Sequence, residues 1–413
     1  MLGLFSAGIS GMSTSQDKLN VTGSNIANSS TTAYKSQSVN YSDTFSETIS
    51  DATSATRNSG GTNAKQVTLG TQVSSISTDI SKGSLNPTGR NLDAAITGEG
   101  SYFMVANGQT MFNEDDCIKV DTNNHSITTV PTGTAVSYTR DGSFQLDDQG
   151  NLLTSDGHRV LGYSMIGRNE IGSGYYADVV SISKNQGEST GNVSTDSSVI
   201  TADGVTTLDG ANSVVISRAS AVTTNGESSY IAAGDVAFVD TEDPDLRADG
   251  SNLHTLRVPD SVKKIYHDAN GTHVKSVKVK SFSIGQDGII TAVLDDNTTA
   301  ALGQIAMATF KNPEGLTKDG SNLLSVSPNS GAAILRSGAA NDIKGQDAYN
   351  KSIAAHDNSS GYPTIQGGAL EESNVDLAKE FTNMIVASRA FQANGKSIST
   401  GDEILQSLVN LVK

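Results

Sequence analysis

The stretch LAKEFTNMIVASRAFQANGKSISTGDEILQSLVNLVK, residues 377–413, decides how the rest of the chain is read. Alternating steps of four and three from Leu377 reach Phe381, Met384, Ser388, Phe391, Gly395, Ile398, Asp402, Leu405, Val409 and Val412, and eight of these eleven positions are apolar. The residues between them are mostly polar or small. A seam repeating every 3.5 residues is what a helix needs when it lies along another helix over several turns. Ser373 followed by Asp376 marks a capped start, and no proline interrupts the run. The spacing therefore predicts a helix of about 55–60 Å at 1.5 Å per residue, too long for one face of a small core.

The first turns of the chain supply its partner. Leu2, Phe5, Ile9, Met12, Gln16, Leu19, Gly23 and Ile26 follow the same alternation, six of the eight being apolar. Gly3, Gly8, Gly11 and Gly23 each cost roughly 1 kcal/mol against alanine in a helix interior. An isolated helix of this composition does not hold itself together. Paired with the C-terminal helix it does, and the small residues let the backbones approach closely. The expected fold is thus a multidomain α+β chain: a terminal α-helical coiled-coil domain formed by both chain ends, plus two nested all-β domains.

Four groups of residues, in order, resemble the bacterial flagellar rod and hook protein family. The first is Gly8-Ile9-Ser10-Gly11-Met12, Gln16, Leu19, Asn25-Ile26-Ala27-Asn28, Thr32 and Tyr34-Lys35. Ile96-Thr97-Gly98-Glu99-Gly100-Ser101-Tyr102-Phe103 and Tyr138-Thr139-Arg140-Asp141-Gly142-Ser143-Phe144 resemble its middle motifs. The last is Gly368-Ala369-Leu370-Glu371-Glu372-Ser373-Asn374-Val375-Asp376-Leu377 with Ser388-Arg389-Ala390-Phe391-Gln392-Ala393-Asn394. These groups cover about half of the chain, and residues 168–280 match nothing in the family's pattern.

The resemblance implies a structural subunit of the flagellar hook, a curved tube that transmits motor torque to the filament as a universal joint. It implies copies of the same chain, the distal rod protein, the hook cap, the hook-filament junction proteins and the flagellar export apparatus as partners. It also implies an extracellular place in the flagellum, reached without a cleaved signal. Ile9, Met12, Leu19, Ile26, Leu377, Phe381, Met384, Phe391, Ile398, Leu405 and Val409 are the residues expected to pack the inner core of the polymer. The distal rod subunit is the rival within the family; rod subunits usually lack a large inserted outer domain, so the extra residues near 166–280 favour the hook. A secreted β-rich adhesin or hydrolase is the rival from another class.

Composition agrees with many short strands and modest cores: 36% of residues are hydrophobic, 5% aromatic, and tryptophan is absent. The net charge of −16, with no basic stretch, argues against a nucleic-acid partner. Residues 1–35 carry Asp17 against Lys18 and Lys35, so the negative charge falls mainly between the helical ends. Nearly neutral ends can pack against copies of themselves without strong repulsion. The first positive charge is Lys18 and the opening apolar run is broken by Gly and Ser, which does not read as a secretory signal; no stretch approaches a membrane span.

Between the ends, residues 31–70 read as a Ser/Thr/Asn-rich linker, 71–165 with 281–365 as an inner β domain, and 166–280 as an inserted outer β domain. Residues 109–136 form an insertion where the family has a short turn. Cys117 is the single cysteine, so no internal disulfide can form. A thiol tolerated on a loop is the ordinary reading; the sharper one is an inter-subunit cross-link, as in hook proteins joined through a Cys and a Lys. No cofactor, metal or catalytic constellation is expected. His267 and His273 lack further ligands at matched spacing. The G-x-S-x-G of Gly187-Glu188-Ser189-Thr190-Gly191 has no following helix to form a nucleophile elbow.

Overall fold

The computed structural model describes residues 2–57, 60–108, 110–111, 117–121, 124–171, 174–179, 199–200, 205–207, 214–215, 222–224, 227–229, 236–242, 246–248, 250, 252–268, 271–336 and 362–411. It divides into a helical unit, Met1–Ser84 with Glu372–Lys413, and a β body, Leu85–Glu371.

In the helical unit, α1 (Leu2–Ala27) and α2 (Leu377–Leu411) pack side by side. At 35 residues α2 is about 52 Å long. Its start is capped by Asp376 alone, whose Oδ1 accepts the N–H groups of Ala378 (2.9 Å) and Lys379 (3.2 Å). Ser373, expected to share in the cap, accepts instead from Val375 N–H at 3.3 Å. The pairing is antiparallel, because Gly8 lies against Ile398 while Gly11 lies against Asn394. Counting on from those contacts, Leu2 falls opposite residues 403–404, so α2 continues past the start of α1 by about two turns.

Residues 31–70 are not a featureless linker. Strand β1 (Gln37–Asp43) pairs antiparallel with β4 (Thr71–Thr78), and β2 (Ser46–Ser50) with β3 (Lys65–Thr68). Composition misled here because a two-stranded ribbon needs no buried apolar face when its edges are held elsewhere. Ser38 Oγ meets Ser77 Oγ at 2.9 Å and Asn40 Nδ2 donates to Ser75 Oγ at 3.1 Å, so Ser and Asn knit the ladder. β4 belongs with the helices rather than with the inner β domain assigned to residues 71–165.

The β body is built around strand Ser101–Asn107, buried over six successive residues. Alternate side chains enter two cores. Phe103 and Val105 join Phe144, Ile290 and Ile365 on one side. Tyr102, Met104 and Ala106 join Leu161, Tyr138 and Phe310 on the other. Edge-to-face ring pairs fix both: Phe103 with Phe144 at 5.1 Å, and Tyr138 with Phe310 at 4.9 Å.

Two boundaries differ from expectation. Within residues 166–280, Ser261–Asp268 and Gly271–Ile284 form a hairpin in the same large sheet as Ile289–Leu294, and Asn252–Thr255 pairs with Arg159–Tyr163 of that sheet. Phe238, Leu256, Val262 and Val277 are buried in its core, so apolar burial draws the segments that carry them into this sheet's core. A separate six-stranded sheet begins with Met165–Ile171 and ends with Arg247–Ala248. Second, the 109–136 insertion carries the hairpin Ile118–Asp121 with Ser126–Thr129, whose first strand adds onto Asn252–Thr255. The segment Gly187-Glu188-Ser189-Thr190-Gly191 lies outside the described residues.

Candidate functional site: an apolar surface on the helical unit

The residues buried in the helix pair are small or polar. On α1 these are Gly8, Gly11, Thr14, Ser15, Thr22 and Asn25; on α2 they are Glu380, Ala387 and Gly401. Without side chains, Gly8 and Gly11 let α2 come so close that a Cβ added to either would stand 2.9 Å from Ile398 Cγ1 or 2.7 Å from Asn394 Nδ2. Glu380, Ala387, Asn394 and Gly401 thus form one heptad row, each one residue before the expected seam positions Phe381, Ser388, Gly395 and Asp402.

That one-residue rotation leaves large apolar side chains outside. Ile9 is 60% exposed, and Leu377, Phe381, Leu405 and Val409 are also exposed, while Met12, Leu19, Ile26, Met384, Phe391 and Ile398 are half-buried. Ile385 (62%), Val386, Ile404, Leu408 and Leu411 (82%) add to the surface. A single-stripe reading passed over these five, although their apolar character beside the seam was the signal that α2 carries more than one. The ribbon contributes Tyr41, Phe45 (87%) and Ile76, together with Ile49, Val67 and Leu69, which the polar-rich reading of residues 31–70 passed over.

This distribution is confined to the helical unit. Among the described residues, all the exposed large hydrophobic ones but Val130 and Val326 lie there, and Ala387 is the only buried hydrophobic residue of that unit. The body holds every other buried hydrophobic residue and shows the ordinary arrangement.

The unit is shaped instead by polar side chains clamping backbone. Asn25 Nδ2 donates to Gln37 O (2.8 Å) while its Oδ1 accepts from Gln37 N–H (3.0 Å), as a neighbouring strand would. Asn374 Oδ1 accepts from Ser36 N–H (2.8 Å) and its Nδ2 donates to Asp79 O (3.0 Å). Buried Lys35 donates to Ser81 O at 2.7 Å. Asp79 is held below the usual carboxylate range, first by its hydrogen bonds from Ser81 and then by Lys35 and Lys379. Three of the residues that carried the family resemblance therefore hold the ribbon to the helix ends.

Cys117 is buried in the body, its Sγ donating to Asn252 Oδ1 at 3.3 Å. At 2% exposure the thiol must be uncovered before a neighbouring chain's lysine could reach it. His267 and His273 sit on the hairpin opposite Thr272 and Tyr266. Among the described residues no cluster of His, Cys, Asp and Glu could hold a metal ion, and no helix is long and apolar enough to cross a membrane.

An all but coreless unit with its large apolar residues outside is the surface of an assembly component. Known proteins agree. Residues 5–35 match the family model "Flagella basal body rod protein", 126–292 "Flagellar hook protein FlgE/F/G D1 domain", and 366–411 "Flagellar basal body rod FlgEFG protein C-terminal". The chain is 31% identical to flagellar basal-body rod protein FlgG of Bacillus subtilis, over 100% of this chain and 99% of that protein. It is 27% identical to flagellar hook protein FlgE of Escherichia coli (98% and 99% covered) and 27% identical to that of Borreliella burgdorferi (98% and 98%). The chain belongs to the flagellar hook and basal-body rod protein family.

Proposed function

We infer that the chain is a structural subunit of the bacterial flagellar hook, and that it polymerises through the apolar surface of its helical unit. The carrying observation is the inverted distribution of that unit: buried small and polar residues, exposed Ile9, Phe381, Ile385, Leu408 and Val409. Burying one such side chain is worth about 1.5–3 kcal/mol, so covering several by a second copy outweighs the cost of association. A contact between different faces of identical copies that does not close into a ring generates a helical tube. The paired ends would form its inner coiled layer, with Met12, Leu19, Ile26, Met384, Phe391, Ile398 and Leu405 packing between helices. The β bodies, carrying most of the negative charge, would lie outside and slide as the curved tube rotates. The distal rod protein, hook cap, junction proteins and export apparatus are the partners this role requires, and the extracellular hook is its place.

The 31% identity to the Bacillus subtilis rod protein over the full length favours a second reading, a distal rod subunit. Electron micrographs of polymer grown from concentrated protein separate the two: curved tubes are expected of the hook, straight ones of the rod. Removal of residues 377–413 should abolish both. Protein that stays monomeric at every concentration would contradict assembly altogether.

A further inference from the structure

The β body is closed by ten residues near its end, 362–371. Tyr362 donates its hydroxyl to Ile305 O at 2.8 Å. Among the described residues, Ile365–Gly367 is the only strand paired with Ala94–Ile96, and Ala369–Glu371 the only one paired with Leu85–Pro87. Glu371 then meets Arg140, a pair buried to 3% and 0% side-chain exposure at 2.8 Å. Until Glu371 arrives, the Arg140 guanidinium has only the carbonyls of Ile96, Gly98 and Ser101, and a buried charge without its counterion is strongly unfavourable.

We propose that residues 362–371 are a clasp on which folding of the whole β body depends, so that the body reaches its native state only when these residues are present. Some 270 residues separate the clasp from the strands it pairs with, which makes this closure late on entropic grounds. In a chain made from its N-terminus, the body therefore stays open until residues 362–371 have been made. The inference rests on the clasp contacts and stands apart from the hook reading.

Pulse-labelled hydrogen exchange during refolding of the full chain tests it. Amides of Asn252–Thr255, which the clasp does not touch, should gain protection in the same step as those of Ile365–Gly367 and Ala369–Glu371. In native protein Glu371→Gln should raise exchange about tenfold or more in both regions together. Protection of Asn252–Thr255 in an earlier step would overturn the proposal. So would a Glu371→Gln effect confined to the clasp and the strands it pairs with.

Discussion

Arg140 Nε donates to Glu371 Oε2 at 2.8 Å, joining a middle motif of the sequence to its C-terminal motif across 231 residues. The guanidinium also donates to Ser101 O (3.0 Å) and Gly98 O (2.9 Å), so the pair is a hub and not a lone bridge. Removing one partner leaves the other charged and buried. Arg140→Met or Glu371→Leu alone should destabilise the body by about 3–5 kcal/mol, and the double variant should recover a large part of that loss. Urea unfolding of the four proteins gives the cycle; additive losses would show that the pairing is not what holds the two residues in place.

The two kinds of helical glycine should respond oppositely. A Cβ at Gly11 meets Asn394, so Gly11→Val should destabilise the helix pair by about 1–3 kcal/mol. A Cβ at Gly395 meets nothing within 4 Å, so Gly395→Ala should stabilise dilute monomer by up to about 1 kcal/mol. Thermal melting followed at the helical circular-dichroism band measures both.

Alkaline pH should weaken the body. Burial pushes the Tyr138 phenol up to about 12 and also raises Tyr102 and Tyr362. A folded pKa above the unfolded value of about 10 means full stability below pH 10, lost as pH rises through 12. Tyr138→Phe preserves the ring contact with Phe310 and should lose less stability across that interval, as urea midpoints at successive pH values would show.

Much of this architecture was legible. The start of α2, the pairing of both chain ends and the buried strand at Tyr102 to Val105 all follow from periodicity. The orientation of the pair did not, because a seam reading assigns the largest side chains to the partner helix, whereas Gly8 and Gly11 place small residues there. The ribbon through Phe45 and Val67 was hidden by its Ser- and Asn-rich composition. Residues 236–280 were assigned outward because strand patterns reveal burial but not which sheet is joined, and no local signal links Arg140 to Glu371.

The central claim is that the apolar stripe on α2 is covered only by other copies of the chain. A thiol placed by Ile385→Cys or Val409→Cys, in a Cys117→Ala background, reports that directly through its rate of alkylation. Fast labelling is expected at both positions in dilute protein, and strong protection in assembled polymer. Equal labelling in the two states would contradict it.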